Sequence, residues 1–183
     1  MSKPIFLCDV DGVIADCQGT IHEFAQELLS RDLPPPSTWR SYEFHEGMGF
    51  SKYDAEYFYR EVLTAFDPAE IRLYPGMYET VDELKELATV VFVTSPCKRH
   101  PEWMFARERL LECLDCEVIH THSKHRVQGD YLLDDKASTI IKGGPWRGLL
   151  WDQPWNRNSP CPPPSERVKS WERVIEILKG HEQ

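Results

Sequence analysis

Five short runs of apolar residues punctuate this chain: Ile5–Cys8, Val90–Val93, Val118–Ile119, Tyr131–Leu133 and Leu149–Trp151. None alternates apolar with polar residues. A strand with one wet face alternates, so these runs fit a parallel sheet covered on both sides. The segments between them carry helical spacing instead. In MYETVDELKELATV, Val81, Leu84, Leu87 and Ala88 share one face. In PEWMFARERLLECL, Pro101 suits a first helical turn, while Met104, Phe105, Leu110, Leu111 and Leu114 supply apolar surface. SERVKSWERVIEILKG places Val168, Trp171, Val174, Ile175 and Leu178 on a stripe that Gly180 can end. Strands alternating with helices predict an α/β fold, a doubly wound parallel sheet with right-handed crossovers. With 183 residues, 41% of them hydrophobic, the chain can bury one good core.

Residues 17–72 break the alternation. They open with the helical GTIHEFAQELLSR, pass through the stiff DLPPPS, and continue into the aromatic-rich TWRSYEFHEGMGFSKYDAEYFYREVL. This is too long for a simple crossover. It reads as a small helical cap inserted after the first strand, leaving 1–16 and 73–183 as the α/β core. Most of its aromatics read as the cap's own core, since a ring-shaped ligand needs only one or two of them to stack on.

Ligands of open α/β sheets bind beyond the carboxyl ends of the strands, so the polar residues that end these runs matter most. The first run ends in Asp9-Val10-Asp11-Gly12, the second in Thr94-Ser95 and the fourth in Asp134-Asp135, and Lys124 follows the third. Such a fold gathers several carboxylates, a hydroxyl and an ammonium at one edge. Carboxylates grouped in this way repel one another and need a cation, and all-oxygen ligands suit Mg²⁺. Mg²⁺ also accepts phosphate oxygens. One aspartate can then attack phosphorus and a second can move the proton, while Thr94 and Lys124 offset charge on the phosphoryl group. Gly12 permits a tight turn that turns backbone N–H groups toward phosphate.

Four motifs in this order resemble those of the haloacid dehalogenase-like phosphatases. DVDGVIAD, YPGMYETVDEL, VTSPCK, DYLLDD and the late KSWERV are closer still to the 5'(3')-deoxyribonucleotidase family, the cytosolic and mitochondrial pyrimidine nucleotidases and their bacterial relatives. The resemblance covers nearly the whole chain. It implies a Rossmann-like core and an Mg²⁺-dependent phosphatase of nucleoside monophosphates that works through an aspartyl-phosphate. Asp9 would be the nucleophile. Asp11 would be the acid/base and would lend the metal its carbonyl. Asp135 would be the direct metal ligand, with Asp134 behind it. Thr94, Ser95 and Lys124 would hold phosphate, and Lys98 would lie near the entrance. Tyr42 and Phe44 fall near where the relatives hold the base. Cys17 stands where an aromatic is expected, and SYEFH occupies the place of the family's Phe-Trp pair. The runner-up reading keeps the chemistry and changes the substrate to a sugar phosphate or another small phosphomonoester. A third makes the chain a non-catalytic phosphate-binding protein on the same fold.

The net charge of −9 argues against a long nucleic acid as partner, because that interaction needs basic surface to displace counterions. No stretch approaches the length of a membrane span, and no signal peptide is legible, so a cytoplasmic location and reduced cysteines are expected. Oligomeric state is open, with a homodimer as one candidate. Cys97, His100, Cys113 and Cys116 offer a rival, zinc-like spacing. Cys113 and Cys116, however, fall at the end of an amphipathic helix where thiols pack as small hydrophobes. His120, His122 and His125 flank Lys124 and read as exposed loop residues.

Overall fold

The computed structural model describes residues 3–97 and 100–182. Among these residues the strands form one six-stranded sheet in the order β3-β2-β1-β4-β5-β6. The strands are β1 (Ile5–Cys8), β2 (Thr89–Thr94), β3 (Glu117–His120), β4 (Tyr131–Asp134), β5 (Arg147–Trp151) and β6 (Glu166–Val168). Every neighbouring pair runs parallel. The continuous apolar runs do what a two-sided sheet requires: Phe6, Leu7, Phe92, Val93, Leu132, Leu133, Leu149 and Leu150 are all buried. Leu7, Val91, Val93, Leu132 and Leu150 face a smaller apolar cluster with Ile140 and Trp146, and the alternate positions face the larger one.

The helices are α1 (Cys17–Leu29), the short α2 (Phe44–Gly47), α3 (Ala55–Tyr57) and α4 (Leu63–Ala65), then α5 (Met77–Leu87), α6 (Glu102–Glu112), α7 (Ala137–Lys142) and α8 (Trp171–Lys179). A π-helical turn, Phe58–Val62, joins α3 to α4. The chain between β1 and α5 leaves and returns at one place. Asp16 N donates to Arg72 O at 2.9 Å and Tyr74 N to Ile14 O at 2.9 Å, which ties the two stems together. Trp39, Met48 and Phe58 from this segment belong to the same apolar cluster as Phe6 and Phe92 of the sheet.

Three expectations change. A sixth strand, Glu166–Val168, lies where the last helix was expected to begin. Only Val168 is buried in it, and Glu166 and Arg167 instead pair with Arg147, Arg173 and Asp152, so this polar edge strand carries no apolar run to announce it. Ser170 ends it by accepting from Arg173 N, which starts α8 at Trp171. In α6, Phe105 is 66% exposed rather than part of the apolar face. The buried positions are Ala106, Arg107 and Leu111, with Trp103 packed against the core. His120 ends β3 instead of lying in a loop, and it is half-buried near Glu108 at 3.4 Å.

Candidate active site

The strand order reverses between β1 and β4, and the residues that follow these two strands meet at that point. Asp9 continues β1, donating its N–H to Leu133 O at 2.9 Å. Asp134 ends β4 and Asp135 follows it. All three aspartates are at most 5% exposed. One carboxylate oxygen from each lies within 4.8 Å of the other two.

Lys124 enters this cluster from the turn after β3. Its Nζ is 2.7 Å from Asp9 Oδ1 and 2.8 Å from Asp134 Oδ2. Asp9 Oδ1 also accepts from Val10 N at 2.8 Å, and Asp134 Oδ1 from Lys136 N at 2.7 Å. Burial pushes the Asp9 carboxyl up to about 7, with Lys124 opposing and Asp134 adding to the rise. Burial also holds Asp135 well above the ordinary carboxylate range, and Asp9 and Asp134 reinforce it. Burial works against the charge on Lys124, but Asp134 and Asp9 outweigh it and hold the ammonium protonated beyond its usual range.

Asp135 is supported from behind by a turn that sequence reasoning passed over. Trp155 Nε1 donates to Asp135 Oδ2 at 2.8 Å, and Asn156 Nδ2 donates to Asp135 O at 2.7 Å. Gln153 Nε2 donates to Gly12 O at 2.6 Å from the same turn. The turn follows β5 at the carboxyl edge, and that position was the legible signal. Gly12 lies with φ +77°, and a Cβ there would be 2.5 Å from Asp135 Oδ2. Glycine therefore serves both the left-handed turn and the close approach of the loop to Asp135.

Asp11 stands apart from the three-carboxylate cluster. Its Oδ1 is 2.6 Å from Arg107 Nη2 of α6, a residue the sequence reading missed. Arg107 occupied a position on the buried face of that helix, between Trp103 and Leu111, and a charge on an apolar stripe was the available signal.

A cavity of about 670 Å³ reaches this edge at Lys124 and Ser95. Tyr42, Phe44, Tyr59 and Trp103 line it together with Lys124, Lys136, Lys142, His122, His125, Ser95 and Cys97. Tyr42 and Phe44 both line this cavity. The Lys136 ammonium lies 4.5 Å from the centre of the Tyr42 ring. Burial and then Asp135, Asp9 and Asp134 raise the Tyr42 phenol well above its ordinary value. Thr94 is buried at the end of β2, and Ser95 is exposed, its Oγ donating to Thr121 O at 3.3 Å. Lys98 lies outside the described residues. The rival zinc constellation does not assemble: among the described residues the only group of metal-type donors is Asp9, Asp134 and Asp135. All six cysteines are free thiols, and His100 Nδ1 faces Glu102 at 3.0 Å.

Residues 3–182 match the family described as 5' nucleotidase, deoxy (pyrimidine), cytosolic type C protein. The chain belongs to this family. It is accordingly a phosphomonoester hydrolase of the 5'-nucleotidase type, on a haloacid dehalogenase-like fold. A protein of Bordetella pertussis, provisionally named a 5'(3')-deoxyribonucleotidase, is 26% identical over 93% of this chain and 95% of its own length. Its counterpart in Bordetella bronchiseptica is equally similar, at 26% over the same shares. Among solved structures, a haloacid dehalogenase family hydrolase of Deinococcus radiodurans, determined with bound phosphate and sodium, shares the fold with a TM-score of 0.64. It is 11% identical, and the match covers 98% of this chain and 96% of that one. A haloacid dehalogenase-like hydrolase of Streptococcus pneumoniae gives 0.57 at 14% identity, covering 99% of both chains. Among the described residues of this nucleotidase, no helix is long and apolar enough to cross a membrane.

Proposed function

We propose that this chain hydrolyses nucleoside monophosphates, with 5'(3')-deoxyribonucleotides as the preferred class, through an aspartyl-phosphate formed on Asp9. One observation carries the reading. The cavity reaches the carboxylate cluster through Lys124 and is lined by aromatic and basic side chains together, which suits a ligand that joins a flat ring to an anion. The basic wall is local, within a chain of net charge −9. In this reading residues 17–72 form the cap that supplies Tyr42, Phe44 and Tyr59, and residues 1–16 with 73–183 the core that supplies the chemistry.

The donor set fits a divalent cation. Asp135 Oδ1 is buried and has no hydrogen-bond partner, while Oδ2 of the same carboxylate is held by Trp155. A buried anionic oxygen left open in this way is costly unless a cation meets it. Asp9, Asp135 and the carbonyl of Asp11 would hold Mg²⁺. Asp134, occupied by Lys124 and Lys136 N, would support them. When bound, Mg²⁺ supplies positive charge against the phosphoryl oxygens.

Val10 N and Lys124 Nζ fix the Asp9 carboxylate at the edge of the sheet. A carboxylate oxygen of Asp9 attacks phosphorus as the bond to the leaving alcohol breaks, and the Asp11 carboxyl gives its proton to that alcohol's oxygen. Water then attacks the aspartyl-phosphate and passes a proton to the Asp11 carboxylate. The phosphorus–Asp9 bond breaks, and phosphate leaves. Lys124, Thr94 and Ser95 hold the phosphoryl group throughout.

The test is phosphate release across a panel of deoxy- and ribonucleotides and sugar phosphates, with Mg²⁺ and with EDTA. Deoxyribonucleotides should lead, Mg²⁺ should be required, and Asp9→Asn should be inactive. A sugar phosphate turned over faster than every nucleotide would overturn the substrate assignment. Activity of Asp9→Asn within tenfold of wild type would overturn the mechanism.

A further inference from the structure

We propose that Arg107 is the positioning residue for Asp11: it holds Oδ1 and thereby leaves Oδ2 as the atom that carries the proton to the leaving group. The inference rests on the reading of Asp11 as acid/base given above.

The Arg107 side chain is 3% exposed, and its Nη2 lies 2.6 Å from Asp11 Oδ1. Among the described residues, Asp11 is the only carboxylate it pairs with. Nη2 also reaches the thiol of Cys17 at 3.8 Å, and the guanidinium carbon lies 5.0 Å from the centre of the Trp103 ring. Nε and Nη1 are buried with no hydrogen-bond partner. Arg167 shows what a guanidinium that braces the fold does here. It donates to Asp152, to the side chain and carbonyl of Asn156, and to Ser159 O. Arg107 leaves most of its five donors unused, at the desolvation cost of a buried charge, and directs its charge at one carboxylate oxygen.

That oxygen belongs to the residue that must move a proton in both half-reactions. A carboxyl free to rotate offers either oxygen. An ion pair on Oδ1 removes that choice, because a proton placed there would meet the guanidinium. The side chain of Asp11 is 25% exposed, unlike those of Asp9, Asp134 and Lys124, each below 10%. Trp103, whose ring the guanidinium faces, lines the cavity itself. Arg107 therefore links the wall of the substrate cavity to the orientation of Asp11, without touching the reacting atoms.

The experiment compares kcat/KM for p-nitrophenyl phosphate with that for the best nucleotide of the panel. kcat/KM reports the steps up to the aspartyl-phosphate, and p-nitrophenolate leaves without needing a proton, whereas an alkoxide needs one. Asp11→Asn should therefore lose at least ~10-fold more on the nucleotide than on p-nitrophenyl phosphate, within the range of roughly 10²–10⁴ that general acids supply. Arg107→Met should show the same split, Arg107→Lys a smaller one in the same direction, and Arg107→Met placed on Asp11→Asn should cost no more than about twofold further. If Arg107→Met fails to fold, the split in Arg107→Lys carries the test. Equal losses on both substrates in the Arg107 variants, beside a split in Asp11→Asn, would overturn the inference alone. No split in Asp11→Asn would overturn the acid role of Asp11 and the inference with it.

Discussion

Without a bound cation, this protein should be destabilised by Asp9 as pH rises. Burial lifts the Asp9 carboxyl from 3.8 to about 7. A group whose folded pKa lies above its unfolded one binds its proton more tightly in the folded state. The stability it lends is complete below pH ~4 and is lost as pH climbs through about 7. A gap of about three pH units at ~1.4 kcal/mol each amounts to about 4 kcal/mol, an upper figure because Asp9 shares its environment with two other carboxylates. Asp9→Asn removes this titration and keeps an oxygen for Lys124 Nζ, which also retains Asp134. In EDTA, the wild-type unfolding midpoint should fall relative to that of Asp9→Asn between pH 5 and pH 8. About two of those three pH units lie within this range, so at roughly 2–4 °C per kcal/mol for a chain this long the gap should be about 5–10 °C. Differential scanning calorimetry of both proteins across that pH range is the assay, and adding Mg²⁺ at pH 8 should recover more stability in the wild type than in the variant. Midpoints that move in parallel in EDTA would refute the account of Asp9 as a buried, poorly compensated anion.

Gly12→Ala should lose Mg²⁺ affinity and about 1–2 kcal/mol of stability, because the residue has φ +77° and its Cβ would meet Asp135 Oδ2; isothermal titration with Mg²⁺ and thermal melts check both. Tyr42→Ala should cost ~1–3 kcal/mol in kcat/KM for nucleotides and much less for a small alkyl phosphate, by analogy with base stacking on aromatic rings. Equal losses on the two substrates would mean that Tyr42 serves the phosphoryl site rather than the base.

The parts of the site that were legible in sequence are those in which chemistry and strand-ending coincide. Asp9, Thr94 and Asp134-Asp135 each terminate a continuous apolar run, so the rule that ligands bind at carboxyl edges gathers them without knowledge of strand order. Lys124 follows from its place after the third run. What stayed hidden lacks that coincidence. Glu166–Val168 is a strand by virtue of pairing with Leu149–Trp151, not of its own residues, two of which are charged. Arg107 looks like one more charge in the run ARER, and only tertiary packing shows that it is turned inward while Phe105 is turned out. Trp155 and Asn156 belong to a Pro-rich turn whose polar groups could have faced water. Their role appears once β5 sets that turn beside Asp135.

Charge explains why the pieces have the signs they have. Asp9, Asp11, Asp134 and Asp135 are met by two buried cations, Lys124 and Arg107, which are the only buried Lys or Arg side chains among the described residues. With all six groups ionised, four negative charges against two positive ones leave two negative charges uncompensated in a poorly solvated site. One divalent cation would cancel this excess. A monovalent ion would leave half of it, and no ion at all forces protons onto the cluster, which is the direction in which Asp9 and Asp135 are shifted. A phosphate monoester dianion entering a site so neutralised would bring new negative charge, which Lys136 and Lys142 of the cavity lining would help offset beside Lys124. The two aspartates at the end of the first strand are thus tolerable because the fold supplies a cation to each, Lys124 to Asp9 and Arg107 to Asp11, and would leave the remainder to an ion from solution.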